Sequence, residues 1–458
     1  MANLDLRDYL NSLSSKEVLT INDPMPRDFL IQALCTEFDR RNISPVLRFT
    51  NVAGSRMAMI TNLFADRERI FRMVGASEED FPLKWLDAER NMIKPRMVSQ
   101  GKVHERIQQG GEVDVRTLPI MQHYRGDAGR YVTSAILVAK DPRTGVRNLS
   151  YHRLQVKTAN RMGVSLHSRQ HLWNYFSAAE KENRPLEVAA VIGCHPLVMV
   201  AASAKTGMDV DEYDIAGGLL GEPIELVKGR TINVEYPANA EIVIEGKILP
   251  NVNEDEGPFG EFTGYATTRS TRNVFEVSAL CSRDDPYYVG IVAGASADHL
   301  NLARVAKEAM VYYRLKERVP NVRRIFYPRS GVNLHCVVSM APGAEGSVRH
   351  ALMLLFGLDP NIKLAIAVDE DIDPANEASV FWALATRMQG DEDIFIVPKV
   401  FTIRLDPSSR GGVGAKVGID ATAKPDFEAV VLKDDPTHVR EASQIIQRLL
   451  RSQVMNAL

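Results

Sequence analysis

Glu241-Ile-Val-Ile-Glu-Gly246 is an alternating strand closed by a glycine, and it ends a strand-rich stretch over residues 222 to 246. Working outward, residues 131 to 157 hold short runs rich in Val, Tyr, Thr and Leu, parted by the turn Asp141-Pro-Arg-Thr-Gly145. Residues 273 to 294 add two more strand-like runs, and helical stretches near 170 to 183 and 302 to 317 interrupt the series. The simplest architecture is a β-rich domain over residues 116–315, a sandwich or a barrel.

The flanks differ. Beyond residue 316, strand-like Val337-Val-Ser-Met340, a helix near 345 to 356, strand Lys363-Leu-Ala-Ile-Ala-Val368, a helix over 376 to 387 and strand Asp393-Ile-Phe-Ile-Val397 alternate. That order predicts a βαβ-type domain over 316–458. It closes in a helix at 437 to 452 with Val439, Ala442, Ile446 and Leu449 on one side, a stripe that asks for a partner surface, on its own chain or, in a homo-oligomer, on a second copy. Residues 1–115 form an α/β region. Its amphipathic helix over 27 to 41 turns Leu30, Ala33, Leu34 and Phe38 inward, and strands at 45 to 62 surround the turn Asn51-Val-Ala-Gly54. The expected class is a multidomain α+β or α/β fold.

The 458 residues carry a formal net charge of −3, with 45% hydrophobic and 25% charged residues, so no excess of basic charge points to nucleic acid or an anionic membrane. Cys35, Cys194, Cys281 and Cys336 are scattered without a CxxC pair, which argues against a zinc knuckle or a disulfide framework and for a reducing, cytoplasmic setting. The opening Met-Ala-Asn-Leu-Asp-Leu-Arg-Asp lacks the apolar core of a signal peptide. The longest apolar run, Val188 to Ala204, is broken by Gly193, His195 and Pro196, so it predicts a turn between buried segments and no membrane span.

Five segments could carry chemistry. Glu256-Gly-Pro-Phe-Gly-Glu261 puts two carboxylates on a loop of Gly and Pro, suited to acid–base work; an exposed acidic turn is the alternative. Asn148-Leu-Ser-Tyr-His-Arg153 offers neutral oxygens for a cation and a guanidinium for a carboxylate; a half-exposed strand with polar residues facing water is the alternative, and the more natural one for the segment alone. Strict alternation would place Asn148 and Arg153 on opposite faces, so a shared site needs a bulge or bend. Gln170-His171, with His167 nearby, offers imidazole at a helix start, where a structural histidine is the alternative. Val210 to Glu222 runs from an acidic cluster, Asp211, Glu212 and Asp214, into a small-residue helix, where helix capping is the alternative reading. Arg410-Gly-Gly-Val-Gly-Ala-Lys-Val-Gly418 combines glycines with a lysine as phosphate loops do, although it is no Walker A loop and a flexible surface loop is as natural a reading. Asp369-Glu-Asp-Ile-Asp373 reads as a solvated connection.

The order of these segments, with Asp127-Ala-Gly-Arg-Tyr131, Pro237-Ala-Asn-Ala-Glu-Ile-Val-Ile-Glu-Gly246 and Lys416-Val-Gly-Ile-Asp-Ala-Thr422, resembles the UbiD decarboxylase family from about residue 40 to 425. The resemblance implies a split β-barrel holding prenylated FMN, which a separate flavin prenyltransferase supplies. It implies a divalent ion, usually manganese, on Asn148, His171 and Glu212, with potassium nearby. Ser150, Tyr151, His152, Arg153, Gln170 and Lys416 join these as cofactor contacts, Lys416 toward the phosphate. Arg153, Glu256 and Glu261 match the family's catalytic Glu-Arg-Glu network. Arg153 orients the substrate carboxylate, Glu256 holds Arg153, and Glu261 protonates the carbon that loses CO2, while the flavin supplies an electron sink. The substrate is an aromatic, heteroaromatic or α,β-unsaturated carboxylic acid. Ala204-Lys205 departs from the Met-Pro of several members, and His299 and Lys307 are candidate contacts to a second substituent. An FMN-dependent oxidoreductase and a catalytically silent flavin- or metal-binding subunit are the alternatives. No strand–GxGxxG–helix supports the former, and the complete Arg153, Glu256, Glu261 set argues against the latter.

Overall fold

The computed structural model describes residues 5–166, 171–432 and 434–455. The chain forms two units, Met1–Ala421 and Thr422–Leu458. The second carries the helix Pro436–Met455, on which Val439, Ile445 and Ile446 are exposed.

The centre of the first unit is a nine-stranded sheet. Its main path runs Tyr131–Val132, Leu154–Val156, Arg161–Val164, Asn273–Ser282, Ile242–Asn253, Leu186–Ile192, Ile136–Lys140, Arg147–Tyr151, with Arg106–Gln109 paired beside Asn273–Ser282. The neighbours pair antiparallel, and the alternating Glu241–Gly246 stretch lies in the long strand Ile242–Asn253 at the middle. Arg147–Tyr151 and Leu154–Val156 follow one another in sequence, yet they stand near opposite ends of this order. Only His152 and Arg153 separate them. Three Cα steps reach at most about 11 Å. The sheet must therefore curl until its ends face each other, giving a half-barrel whose seam is His152-Arg153. The seam is also the bend that lets Asn148 and Arg153 serve one cavity.

The run Val188 to Ala204 resolves as expected into a buried strand, Leu186–Ile192, a turn at Gly193, and a buried helix, Pro196–Ala201. The second strand-like run of residues 273 to 294 does not join the central sheet. Tyr288–Val289 pairs parallel with Met59–Ile60 and completes a four-stranded sheet with Val18–Ile21 and Val46–Phe49. The early helix, Leu30–Arg40, is rotated from its expected setting: Ile31, Gln32, Cys35 and Asp39 are buried, and Leu30 is 47% exposed. Polar groups decide this face, because Asp39 accepts from the backbone N–H of Ala297 (2.9 Å) and from Arg329 Nη2 (2.8 Å).

The C-terminal sheet runs Val322–Phe326, His335–Met340, Leu364–Asp369, Val413–Ala421, Ile394–Phe401. Its inner pairs are parallel, with Ser347–Leu358 as a crossover helix. The glycine-rich segment 410–418 is no phosphate loop. From Val413 on it is a central strand, and a Cβ on Gly418 would lie 2.2 Å from the Phe395 ring on the neighbouring strand. The glycine there admits an aromatic side chain. The long helix Ala297–Lys316, buried along most of its length, packs on Phe81–Arg90 and on Val322–Phe326.

Candidate active site

The seam strand, the helix starts at His171 and Glu212, the hairpin Phe259–Gly260/Ala266–Thr267 and the long helix Ala297–Lys316 enclose a cavity of about 520 Å³. Asn148, Ser150, Tyr151, His152, Arg153, His171, Glu212 and Glu261 all line it.

At one end stands Arg153. Its Nε and Nη2 donate to both oxygens of Glu256 (2.8 and 2.9 Å), Nη2 also donates to the Arg269 carbonyl (2.9 Å), and Nη1 donates to Glu261 Oε1. The Glu256 side chain is fully buried behind the cavity wall, so the two-pronged pair fixes the guanidinium. The loop bearing both carboxylates is tied down by the Asp127–Tyr131 segment. Asp127 accepts from the N–H groups of Gly260 and Tyr124, Ala128 N–H donates to the Pro258 carbonyl (2.8 Å), and Tyr131 OH accepts from Gly257 N–H. Burial, with the charge of Glu256 adding to it, raises the Glu261 pKa above the usual carboxylate range, although Arg153 pulls it down. Arg153 is thus one cation shared by two buried carboxylates.

At the other end the side chains of Asn148, His171 and Glu212 converge. Asn148 Nδ2 lies 3.2 Å from Glu212 Oε1 and 3.5 Å from His171 Nδ1. An amide nitrogen only donates, so both neighbours aim lone pairs at the same spot. Ser150 Oγ donates to Asn148 Oδ1 (3.0 Å), Thr206 Oγ1 to Glu212 Oε1 (2.8 Å) and Leu149 N–H to Glu212 Oε2 (2.8 Å). Burial dominates nonetheless and pushes the Glu212 pKa up to about 7. The helix Glu212–Leu220 can present this carboxylate because Asp211 takes the capping role, accepting from Tyr213 N–H and pairing with Arg147 at 2.7 Å. Gly217 and Gly218 let that helix approach another closely, since a Cβ at either would meet the Ile93 or Ala88 carbonyl within 2.7 Å. A neutral amide, an imidazole and a carboxylate form a donor set that a divalent ion takes.

Other expected contacts fall into three groups. His152 donates from Nδ1 to the Ser165 carbonyl (3.1 Å), and its burial lowers the imidazole pKa to about 4, so it is neutral. Tyr151 OH donates to the Met199 carbonyl (3.0 Å). His299 and Lys307 line the cavity: His299 Nδ1 donates to the Gly294 carbonyl (3.0 Å), and Lys307 pairs with Asp359 (3.1 Å). Lys416 does not line it. Its Nζ donates to the carbonyls of Pro360 (2.8 Å) and Ile362 (2.5 Å), which holds the turn that carries Asn361 to the cavity. His167 and Gln170 lie outside the described residues. Thr133, Thr206, Phe262, Asn333 and Asn361 also stand on the wall, and no motif in the sequence singles them out. Turn composition, Gly331-Val-Asn333 and Asp359-Pro-Asn361, is the signal that could have marked the last two.

Three family models cover the chain in succession: the N-terminal domain of 3-octaprenyl-4-hydroxybenzoate carboxy-lyase over residues 13–89, its Rift-related domain over 96–296 and its C-terminal domain over 300–421. The UbiD-class enzyme HmfF from Pelotomaculum thermopropionicum, solved with FMN, is 40% identical, with a TM-score of 0.90 over 94% of this chain and 97% of that one. An evolved dimeric form of HmfF, solved with prFMN, is 38% identical, with a TM-score of 0.86 over the same shares of the two chains. The anhydromevalonate phosphate decarboxylase of Methanothermobacter thermautotrophicus is 32% identical over 91% of this chain and 96% of its own length. The phenolic acid decarboxylase of Bacillus subtilis is 29% identical over 92% and 93%.

Proposed function

The chain belongs to the UbiD family and is a flavoprotein carboxy-lyase, and on that premise we propose that it removes CO2 from an aromatic, heteroaromatic or α,β-unsaturated carboxylic acid, using prenylated FMN and a divalent ion such as manganese. The observation that carries this reading is Arg153, held by buried Glu256 and touching Glu261 at the cavity wall. Among the described residues, four of the five guanidinium N–H groups are directed at Glu256, Glu261 and the Arg269 carbonyl. The remaining Nη1–H, beside Glu261, is the donor left for a substrate carboxylate.

The cofactor, when bound, supplies an electron sink for the C–CO2 bond. The rest falls to the protein. Arg153 orients the leaving carboxylate, and Glu256 fixes Arg153. Glu261, its proton retained by burial, delivers that proton to the carbon that has lost CO2. Ile291, Leu302 and Phe262 give the cavity apolar walls suited to a flat ring, and His299 and Lys307 can meet a second substituent. Asn148, His171 and Glu212 hold the divalent ion, with potassium close by. A flavin prenyltransferase supplies the cofactor in the cytoplasm. The working form is a homo-oligomer, a reading supported by the dimeric form of HmfF; light scattering showing only a 51 kDa monomer at working concentration would remove it.

Co-expression with a flavin prenyltransferase, followed by an absorbance spectrum and a screen of aromatic and unsaturated acids for CO2 release, tests the proposal. A modified-flavin spectrum with CO2 release is expected. Ordinary FMN with consumption of NAD(P)H and no CO2 would point instead to an oxidoreductase.

A further inference from the structure

Away from the cavity, four donor side chains meet on the central sheet. Glu245 lies on Ile242–Asn253 and Cys281 on the neighbouring Asn273–Ser282, with Val243 opposite Cys281 and Ala279 opposite Glu245. The two are therefore diagonal neighbours on one face. Arg106–Gln109 pairs with the Cys281 strand, and the turn just before it, Lys102–His104, delivers His104 to the same place. Tyr236, on Glu235–Pro237, completes the group. Its hydroxyl lies 2.9 Å from His104 Nε2, donates to Glu245 Oε1 and stands 4.0 Å from Cys281 Sγ, which is 3.9 Å from Glu245 Oε1. Ligand atoms of His104, Glu245 and Cys281 all fall within 4.8 Å of one another, and among the described residues no other three His, Cys, Asp or Glu side chains converge in this way. None of the four residues lines the active-site cavity.

Glu245 and Cys281 are fully buried, and His104 is half-buried. Glu245 accepts from the backbone N–H groups of Arg230 and Thr231 and from the Thr231 hydroxyl (2.8, 2.7 and 2.7 Å), but among the described residues no ion pair balances its charge. Desolvation lowers the His104 pKa, which leaves a neutral imidazole with a lone pair to give. It also raises the Cys281 thiol to about 12, so the sulfur ionises only when a cation replaces its proton.

We infer that His104, Glu245 and Cys281 form a zinc site, with the Tyr236 hydroxyl at the fourth corner. Nitrogen, thiolate and carboxylate oxygen are ligands that zinc takes in a tetrahedron, whereas manganese and magnesium favour oxygen. Zinc bonds of about 2.0–2.3 Å set ligand atoms roughly 3.3–3.8 Å apart, so the group closes on the ion with side-chain adjustments of about 1 Å. A divalent ion with one thiolate and one carboxylate carries no net charge, which suits the interior. The thiol proton leaves to solvent on binding, so affinity weakens as pH falls. The bound ion ties Lys102–His104 to the central sheet and stabilises the folded chain by mass action.

The test uses the full chain produced in cobalt-supplemented medium, so that the ion enters during folding, and kept reduced. Cobalt(II) stands in for zinc, and a cobalt-minus-zinc difference spectrum cancels flavin absorbance. A thiolate-to-cobalt charge-transfer band in the near ultraviolet is expected; Asn148, His171 and Glu212 carry no sulfur and give none. Cys281→Ser should abolish the band and Glu212→Ala should leave it. His104→Gln should weaken zinc binding at least about tenfold in competition with a chromogenic chelator. Circular dichroism establishes that the variants fold; if Cys281→Ser does not, the half-buried His104→Gln carries the test through its loss of affinity. Absence of the band in wild type, its survival in Cys281→Ser, or wild-type zinc affinity in His104→Gln overturns the site and leaves the four side chains as a hydrogen-bonded cluster.

Discussion

The two ends of the cavity are built on opposite principles. At the Arg153 end the protein carries its own countercharge: a fully buried carboxylate, Glu256, grips the guanidinium at 2.8 and 2.9 Å, and a second carboxylate shares it. At the Asn148–His171–Glu212 end neutral donors and a carboxylate are gathered, and burial pushes Glu212 up to about 7. Acid–base groups must be positioned before substrate arrives, so their framework is permanent. A metal site can be completed by what it binds, at the cost of an ill-matched carboxylate until then.

The largest effect should follow from breaking the permanent end. Arg153→Ala strands Glu256 in the interior, which costs about 3–5 kcal/mol of stability. Decarboxylation should be undetectable, and a denaturant midpoint shifted well below wild type would show the loss; an unshifted midpoint would mean that the pair contributes little. At the other end Glu212→Ala should be far gentler on the fold, because it removes a carboxylate that burial disfavours. It should instead purify without manganese or flavin by metal analysis and absorbance. Full manganese occupancy in that variant would remove Glu212 from the site. In the wild type, ion affinity should weaken as pH falls through about 7, since the carboxyl then takes a proton that the ion must displace.

A smaller effect concerns the scaffold behind both ends. His123, His152 and His195 are buried, with pKa values lowered to about 4 by desolvation. Unfolded imidazoles titrate near 6.5. Below that pH the unfolded chain binds protons that the folded chain refuses, so stability is fully present above about 6.5 and falls toward pH 4. The slope should approach roughly 1.4 kcal/mol per pH unit for each imidazole. Thermal melts between pH 7 and 4 measure it, and replacing His195 with Gln should flatten the slope by up to about one imidazole's share, roughly 1.4 kcal/mol per pH unit.

How much of this was legible in the sequence depended on whether the signal was local. The carboxylate loop and the segment Asn148 to Arg153 were visible as residue types at fixed spacing. Their convergence followed only from the family resemblance, because spacing does not reveal a sheet whose ends meet across two residues, and no strand announces its neighbour. The helix Leu30–Arg40 shows the same limit: apolar periodicity chose Leu30 and Phe38, whereas Asp39 is drawn inward by the distant Ala297 and Arg329. Gly418 misled for a related reason, since a glycine that admits Phe395 from the next strand looks in sequence like a glycine of a loop. Asn333 and Asn361 reach the cavity from turns of the C-terminal sheet, a contact made only by tertiary packing.

The central claim is that Glu261, on the permanent end, is the proton donor, and Glu261→Gln tests it most directly. Glutamine nearly preserves shape, so the variant should retain fold, metal and flavin. Its CO2 release should drop by at least about 10²-fold. Exchange of the product's ring or vinyl hydrogen with solvent deuterium, which runs the protonation step backwards, should stop with it. Near wild-type turnover and exchange in a fully loaded Glu261→Gln enzyme would contradict the assignment and place the proton on another group.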